Sequence, residues 1–487
     1  MNPLDVLQPV FKPLYLQVAS RMAALIHSGA FQAGQRLPSV RDIATQEGVS
    51  ISTAMQAFRW LEDKGLAQAK PKTGYFVRHQ RQRTALPLIG QPPIHSVSVE
   101  RSSRLDIIRR AGDLVVNVDL GGYSPVQSEL FDENRLRVAL ARAVRVHRRS
   151  LVSYDNEAGV HALQNAVAQR ALHLGCSLRG KDITITSGCI HAISLCLMAV
   201  TSPGDVVALE SPTFFGFLDL LEIMNLRVVE IPSHPRTGLS LPALQLALDT
   251  QSIKAVLAVP TLSNPLGAIM PLCNKKALVN LLAKYRVPLI EDVAFNDLLA
   301  SDERRRAAKA FDQDGGVMVC GSFSKTLTPG IRLGWVEAGR WKDRVASFKN
   351  VQGASTNVVL EYALADLLTQ SAYESQMRRL SASMKDRLNE ARLLVSEHFP
   401  KGTRVSHPPA GYTLWVELPS ALDSMLLFEG AIREGIKFGP GPLFSATDRY
   451  AHCLRLSFSG AWGDAQKDAI RRLGLMARAQ LESVAAV

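Results

Sequence analysis

From Asp182 to Ala338 short apolar runs alternate with amphipathic stretches, and no other feature of the sequence narrows the fold as far. The runs are DITITS (182–187), VVALES (206–211), RVVEIP (227–232), AVLAVP (255–260), PLIEDV (288–293), VMVCGS (317–322) and IRLGWVEA (331–338). Each has the length of a strand, and helical stretches lie between most of them. This alternation predicts an α/β domain with a mostly parallel sheet. Ligands of such sheets bind beyond the carboxyl ends of the strands, so the chemistry is expected there.

Those ends carry unusual residues. TSGCIHA follows the first run: a Ser-Gly turn into a helix offers backbone N–H groups and a positive dipole end, which suits phosphate. SPTFFGF (211–217) places aromatics, Phe214 among them, near the same rim. PTLSNPLG (260–267) puts Asn264 in a rigid turn, and LIEDVAF (289–295) ends an apolar run in two carboxylates. By default Asp292 would be a helix cap or a surface acid. GSFSK then sets Lys325 just after its strand, among small and hydroxyl-bearing residues, with Arg332 seven positions later. A phosphate cradle, an aromatic plate, an amide, a carboxylate and a lysine together match one ligand. Pyridoxal phosphate has a phosphate, a flat ring, a phenolic oxygen, a pyridine nitrogen and an aldehyde. A lysine condenses with the aldehyde, and an acid keeps the ring nitrogen protonated so that the ring acts as an electron sink.

The ordered series Y-D-N-E-A-G, T-S-G, E-S-P-T-F, N-P-L-G, E-D-V-A-F, S-F-S-K and R-L-S-F resembles the fold type I, class I aminotransferases over about residues 115 to 480. The resemblance implies that Lys325 forms the internal aldimine, Asp292 pairs with the pyridine nitrogen, Asn264 bonds the phenolic oxygen and Phe214 stacks on the ring. It also implies that Gly188, Cys189 and Ile190 give backbone to the phosphate, and that Ser322, Ser324 and Arg332 give side chains. Tyr154 would reach the phosphate of the neighbouring subunit. Arg455, in LRLSF, would clamp an α-carboxylate with its planar fork. Two positions depart from the pattern. Ile190 replaces a usual glutamine. Phe295 stands where the family usually has a tyrosine that donates to the phenolic oxygen, so the aldimine pKa is expected to be raised.

The chain has 487 residues, which predicts two or three domains, and 47% of them are apolar, enough for substantial cores. Its net charge is +12, and residues 1–83, with 11 basic against 5 acidic residues, carry +6 of it. A local basic field points to a polyanion partner, most often nucleic acid. Helical spacing over residues 13–28, then Ser39 with Asp42 as a capping box, Gly48 at a turn, and Ser50 or Ser52 opening a second helix predict a helix-turn-helix. Ser52, Thr53 and Gln56 would face base edges. Residues 66–77 predict two short strands with Lys70, Lys72, Thr73 and Gly74 at a basic tip, suited to phosphates or a minor groove. LPSVRDIA, EGVS, LEDKGL and KTGYFV, in that order, resemble the winged helix-turn-helix of GntR-type regulators. The resemblance implies that Arg41, after L-P-S, helps to hold DNA. Ile51 stands where the family often has arginine.

Residues 79–113 read as a partly extended, solvated linker. The domain organisation expected is therefore a winged helix-turn-helix at 10–78, the linker at 79–113, and an aminotransferase-like domain at 114–487. The large part of that domain spans about 150–350 and a smaller α+β subdomain about 375–480. Six scattered cysteines without a C-x-x-C pair argue against zinc and fit a reducing cytosol. The uncharged stretch 183–204 is long enough for a membrane span, but its Ser-Gly and Ser-Pro-Gly turns predict a buried strand, loop and helix.

The fused chain resembles the MocR/GabR family of transcription regulators. This implies a pyridoxal-phosphate-dependent, DNA-binding, head-to-tail, domain-swapped homodimer that senses an amino acid or amine by external aldimine formation at Lys325. Two other readings stay open: a working aminotransferase that also binds DNA, and a regulator answering to pyridoxal phosphate itself. Phe295 leans against efficient turnover.

Overall fold

In the computed structural model the chain divides into two units, residues 1–83 and 84–487. The structure describes residues 13–27, 30–31, 34–70, 73–77, 84–91, 95–99, 116–122, 132–153, 158–299, 303–447 and 449–485. Helices α1 (Leu14–His27), α2 (Val40–Gln46) and α3 (Ile51–Asp63) are followed by strands β1 (Ala67–Lys70) and β2 (Gly74–Val77). Val18, Met22 and Ile26 lie one turn apart on α1 and pack on Phe58 and Leu61 of α3. Each such burial contributes roughly 1.5–3 kcal/mol. The helix starts follow from local chemistry. Ser39 and Asp42 exchange side-chain and backbone bonds at the start of α2. At α3 the cap is Ser50, whose Oγ accepts the Thr53 N–H at 3.1 Å, while Ser52 sits inside the helix. Strands β1 and β2 pair antiparallel with Lys70 opposite Gly74, which makes the wing.

In the second unit β3 (Val97–Ser98), β4 (Ile183–Thr186), β5 (Val206–Ser211), β6 (Arg227–His234), β7 (Ile253–Ala258), β8 (Leu289–Asp292), β9 (Val317–Ser322) and β10 (Gly334–Glu337) form one sheet. Its spatial order is β3-β6-β5-β7-β8-β9-β10-β4, with Gly238–Leu239 added beside β6. The contacts among β5 to β9 are parallel, and β10 runs antiparallel to both of its neighbours. Helices cover both faces, and side chains such as Ile185, Leu209, Val256 and Ile290 are wholly buried. The last predicted strand is shorter than IRLGWVEA: Pro329–Ile331 form a 3-10 turn, Arg332 takes a left-handed conformation, and pairing starts at Gly334. The stretch 183–204 is β4 and the buried helix Cys189–Val200. Among the described residues no helix is long and apolar enough to cross a membrane.

The smaller subdomain is an antiparallel sheet of β11 (Arg404–Val405), β12 (Thr413–Glu417), β13 (Gly439–Pro440) and β14 (Cys453–Ser457), in the order β11-β12-β14-β13. It packs on the long helix Ser371–His398 and on the helix Asp464–Ala485 through Leu388, Leu394, Leu414, Leu456 and Leu473.

The described parts of the 79–113 segment are not the solvated spacer that their composition predicts. The Ala85 carbonyl accepts the Val405 N–H at 2.8 Å, and the Leu88 N–H donates to Glu417 Oε2 at 2.8 Å, so both grip the smaller subdomain. Farther on, Ser96 O accepts from Arg227 at 2.8 Å, and β3 pairs antiparallel with the start of β6. An extended chain satisfies its backbone groups by adding to a sheet edge, whatever its side chains.

Candidate functional site

The parallel register brings the informative strand ends together. Asp292 lies opposite Cys320, Glu291 lies opposite Ala258, and the turn that carries Asn264 leaves just beyond Ala258. Phe214 caps the helix Phe215–Ile223 after β5, and Lys325 follows β9.

One end of the site is a cradle for an anion. Gly188 caps the helix Cys189–Val200 with φ of 92°, a conformation glycine adopts without strain. The backbone N–H groups of Cys189 and Ile190, in the first turn, have no partner inside the helix. A Cβ on Gly188 would come within 3.0 Å of Arg332 Nη2, so the guanidinium lies directly over the helix start. Arg332 Nη1 donates to Ser324 Oγ at 3.2 Å, and Ser322 Oγ accepts the Ser324 N–H at 3.1 Å. Two positive sources and several donors thus meet at one point. Cys189 is buried, whereas Ile190 faces outward.

The middle of the site holds the ionisable groups. Lys325 is half-buried, and burial pushes its ammonium down to about 8. Arg455 and Arg332 deepen that fall, and Asp292 opposes it. Asp292 is buried at the end of β8, where its Oδ1 accepts the Ala294 N–H at 2.8 Å. Burial raises its carboxyl, while the Ala294 N–H, the Cys189 thiol and Lys325 pull it down. Glu210, behind it, is pushed up to about 8 by burial, with Asp292 adding to the rise. Phe214 is half-buried, with Phe215 and Phe217 at ring distances of 4.7 and 5.5 Å. A Cβ on Gly216 would meet the Phe214 ring at 2.6 Å, so the glycine lets that ring lie back across the helix start.

Arg455 closes the other end. It is wholly buried on β14. Nη1 donates to Asn264 Oδ1 at 3.3 Å and Nη2 to the Gly121 carbonyl at 2.6 Å. The rings of Phe444 and Phe215 lie 5.1 and 6.0 Å from its guanidinium carbon. A buried guanidinium with aromatic walls binds a planar carboxylate strongly, because water competes poorly for it. Phe295 is half-buried and meets the ring of Tyr412 edge-on at 5.6 Å.

Nine of the residues singled out from the sequence of this unit thus share one region: Gly188, Cys189, Asn264, Asp292, Ser322, Ser324, Lys325, Arg332 and Arg455. Phe214 and Phe295 lie on the strand-end loops beside them, and Ile190 lies one residue beyond the cradle. Tyr154 falls outside the described residues. Gly121, Gly216, Phe215, Phe444 and Tyr412 were missed. The adjacent glycines of D-L-G-G and the second phenylalanine of P-T-F-F were the available signals, whereas Phe444 and Tyr412 lie in stretches with no motif.

On the N-terminal unit Arg41, Ser50, Ser52, Gln56, Thr73 and Gly74 are exposed and Thr53 is half-buried. Lys72 falls outside the described residues. Ser50 Oγ caps α3, and Ser52 Oγ lies 2.8 Å from it. Ile51, more than half exposed, and Met55 add an apolar edge to the outer side of α3.

The residues of the second unit fit pyridoxal phosphate. A Cβ on Gly188 would crowd the Arg332 guanidinium over the cradle, and a buried acid stands near a lysine that sheds its proton at mild pH. Residues 128–472 match the family "Aminotransferase class I and II", and residues 14–77 match "Bacterial regulatory proteins, gntR family". The HTH-type transcriptional regulator YjiR of Escherichia coli K12 is 33% identical over 94% of this chain and 98% of its own. YdcR, an HTH-type transcriptional regulator of the same strain, is 32% identical over 96% and 99%. Among solved structures, kynurenine aminotransferase from Pyrococcus horikoshii, in complex with PMP, superposes with a TM-score of 0.72 at 26% identity, covering 78% of this chain and 96% of that one. LysN, an α-aminoadipate aminotransferase from Thermus thermophilus, has a TM-score of 0.72 at 24% identity, covering 79% and 96%. The cofactor of the second unit is pyridoxal phosphate, and the chain belongs to the MocR-type regulators, in which a GntR-type DNA-binding domain is joined to a class I and II aminotransferase domain.

Proposed function

We propose that this chain is a transcription regulator whose aminotransferase-like domain senses an amino acid or amine at Lys325 and passes the signal to the winged helix. The observation that carries this reading is Arg455, a wholly buried guanidinium beside the half-buried Lys325, in a chain that also carries a GntR-type domain. Bound in this site, pyridoxal phosphate supplies an electrophilic carbonyl and a ring that takes up electron density.

The protein's residues supply the rest. Gly188, Cys189, Ile190, Ser322, Ser324 and Arg332 would hold the phosphate, Asp292 the pyridine nitrogen, Asn264 the phenolic oxygen and Phe214 the ring face. Lys325 Nζ is half deprotonated near pH 8 and so reacts as a nucleophile under mild conditions. Arg455 binds the carboxylate of the effector and the aromatic walls exclude water around it.

Arg455 belongs to the smaller subdomain, and Asn264, which it bonds, belongs to the larger one. An effector that binds between them biases their relative position, by as much as its affinity differs between the two arrangements. Residues 85–88 are bonded to the smaller subdomain and 96–98 to the larger, so the chain that leads to the winged helix is tied to both. Arg41, Ser52, Thr53, Gln56 and the wing tip at Thr73–Gly74 are the proposed DNA contacts, with Lys72 beside them. The proposed assembly is a head-to-tail homodimer in which Tyr154 completes the neighbouring phosphate site.

The test is the visible absorption spectrum of the protein loaded with pyridoxal phosphate, beside Lys325→Ala, before and after borohydride. A yellow band is expected in wild type, bleached by borohydride as the cofactor becomes covalently fixed, and lost or displaced in the variant. Its absence after cofactor addition would leave the DNA-binding half alone. A steady-state screen with a keto acid separates this reading from a working aminotransferase, since rapid cycling would favour the enzyme.

A further inference from the structure

Phe295 leaves the site without the hydroxyl expected at that position, yet a buried hydroxyl stands on its neighbour. Tyr412 is 1% exposed, and its Oη has no hydrogen-bond partner among the described residues. A buried hydroxyl without a partner is costly, so each such group calls for an explanation. The ring of Tyr412 meets the ring of Phe295 edge-on at 5.6 Å. Its backbone carbonyl accepts the Phe458 N–H at 2.7 Å, which fixes the residue at the mouth of β12, beside β14 and three positions along from Arg455. The next residue, Thr413, donates to the Pro265 carbonyl at 3.5 Å, one residue from Asn264. Burial raises the Tyr412 phenol, and of the charges acting on it Arg455 opposes the rise and Asp292 adds to it. The buried hydroxyl is thus carried by a ring that packs on Phe295, next to the residue that joins β12 to the Asn264 turn.

From this geometry we infer that the Tyr412 hydroxyl is the donor to the phenolic oxygen of the cofactor, in place of the hydroxyl that Phe295 lacks. The inference rests on the proposed cofactor site at Lys325. Tyr412 is a binding residue of the cofactor in this role. It comes from the smaller subdomain, whereas position 295 belongs to the larger one, so the donor moves with the part of the protein that carries Arg455. The state of the cofactor then reports the position of the smaller subdomain, which a donor at position 295 would not do.

A donor to the phenolic oxygen favours its anionic form, so the visible band titrates at a lower pH when the donor is present. The experiment is a pH titration of that band in the full-length, cofactor-loaded protein. Four proteins are compared: wild type, Tyr412→Phe, Phe295→Tyr, and the double variant Tyr412→Phe/Phe295→Tyr. Tyr412→Phe is expected to raise the midpoint by about one pH unit or more, and the double variant to bring it back down. In the unloaded protein Tyr412→Phe is expected to leave thermal unfolding unchanged or shift it upward, because the hydroxyl has no partner to lose among the described residues. A titration midpoint unchanged in Tyr412→Phe would overturn the inference. A wild-type protein with no band would instead overturn the cofactor site at Lys325, so the two failures are distinct.

Discussion

The winged helix and the aminotransferase-like site gather their functional residues in different ways. In the first, the groups proposed to contact DNA lie between Arg41 and Gly74, most of them exposed, near caps and turns a few residues away. In the second, Gly121 and Arg455 are bonded directly although 334 positions separate them, and Arg455 is wholly buried. A surface site keeps its charges solvated and works through geometry and long-range attraction. A buried site desolvates its charges, which shifts their ionisation and strengthens each remaining interaction. Lys325, pushed down to about 8, and Glu210, pushed up to about 8, are consequences of that burial. Among the residues proposed for DNA contact, Arg41 is exposed.

If the contrast holds, changes in the buried site act on effector and cofactor, and changes in the winged helix act on DNA alone. The largest expected effect is that of Arg455→Ala. It should weaken binding of a carboxylate effector by about 100-fold or more, the scale for truncating one partner of a desolvated, charge-assisted pair. Titration of the visible band with amino acids measures this, while DNA affinity without effector should stay within about twofold of wild type.

Next in size is a pH effect. Lys325 reacts through its neutral amine, and its folded-state pKa is lowered to about 8, so the neutral fraction falls as pH drops through that value. The rate at which unloaded protein gains its visible band should rise about tenfold per pH unit below 8 and level off above it. A profile still rising at pH 10 would mean that the lysine is not desolvated, and the contrast with the solvated surface would fail.

A smaller effect is expected at the strap, the segment 85–98 that is bonded to both subdomains. Glu417→Ala removes the acceptor of the Leu88 N–H. The spectral response to effector should persist, and the effector's influence on DNA affinity should shrink by a few-fold, within the usual range of coupling energies. An unchanged DNA response would assign the coupling to another path. The smallest effect is Ser50→Ala, which removes the cap of α3 at a cost of about 1 kcal/mol. In calorimetry of the full chain, the transition of the N-terminal unit should fall by about 4–8 °C while that of the second unit stays in place.

The same contrast explains what could be read from the sequence. Caps and turns act over three or four residues, so the Ser39–Asp42 box and the helix from Ile51 to Asp63 were legible, leaving only Ser50 or Ser52 open as the cap. The strands of the large sheet were legible because apolar runs of strand length alternate with helices. Their ends were legible because polar residues after such runs are uncommon. IRLGWVEA was read too long, since a left-handed Arg332 inside an apolar run leaves no trace in composition. The strap was read as a spacer, because edge pairing uses backbone groups that every sequence shares. Tyr412 carried no signal at all. Its meaning depends on what packs against it, and Phe295, which its ring meets edge-on, is distant in the chain.

The most direct test of the central claim is DNA affinity as a function of effector. An operator fragment selected with the wild-type protein would be titrated by fluorescence anisotropy at fixed salt, against the common amino acids and simple amines, with wild type and Lys325→Ala both supplied with pyridoxal phosphate. The account predicts that at least one compound shifts the wild-type dissociation constant by about five-fold or more and leaves that of Lys325→Ala unmoved. An equal shift in both proteins, or no shift in either, would contradict it.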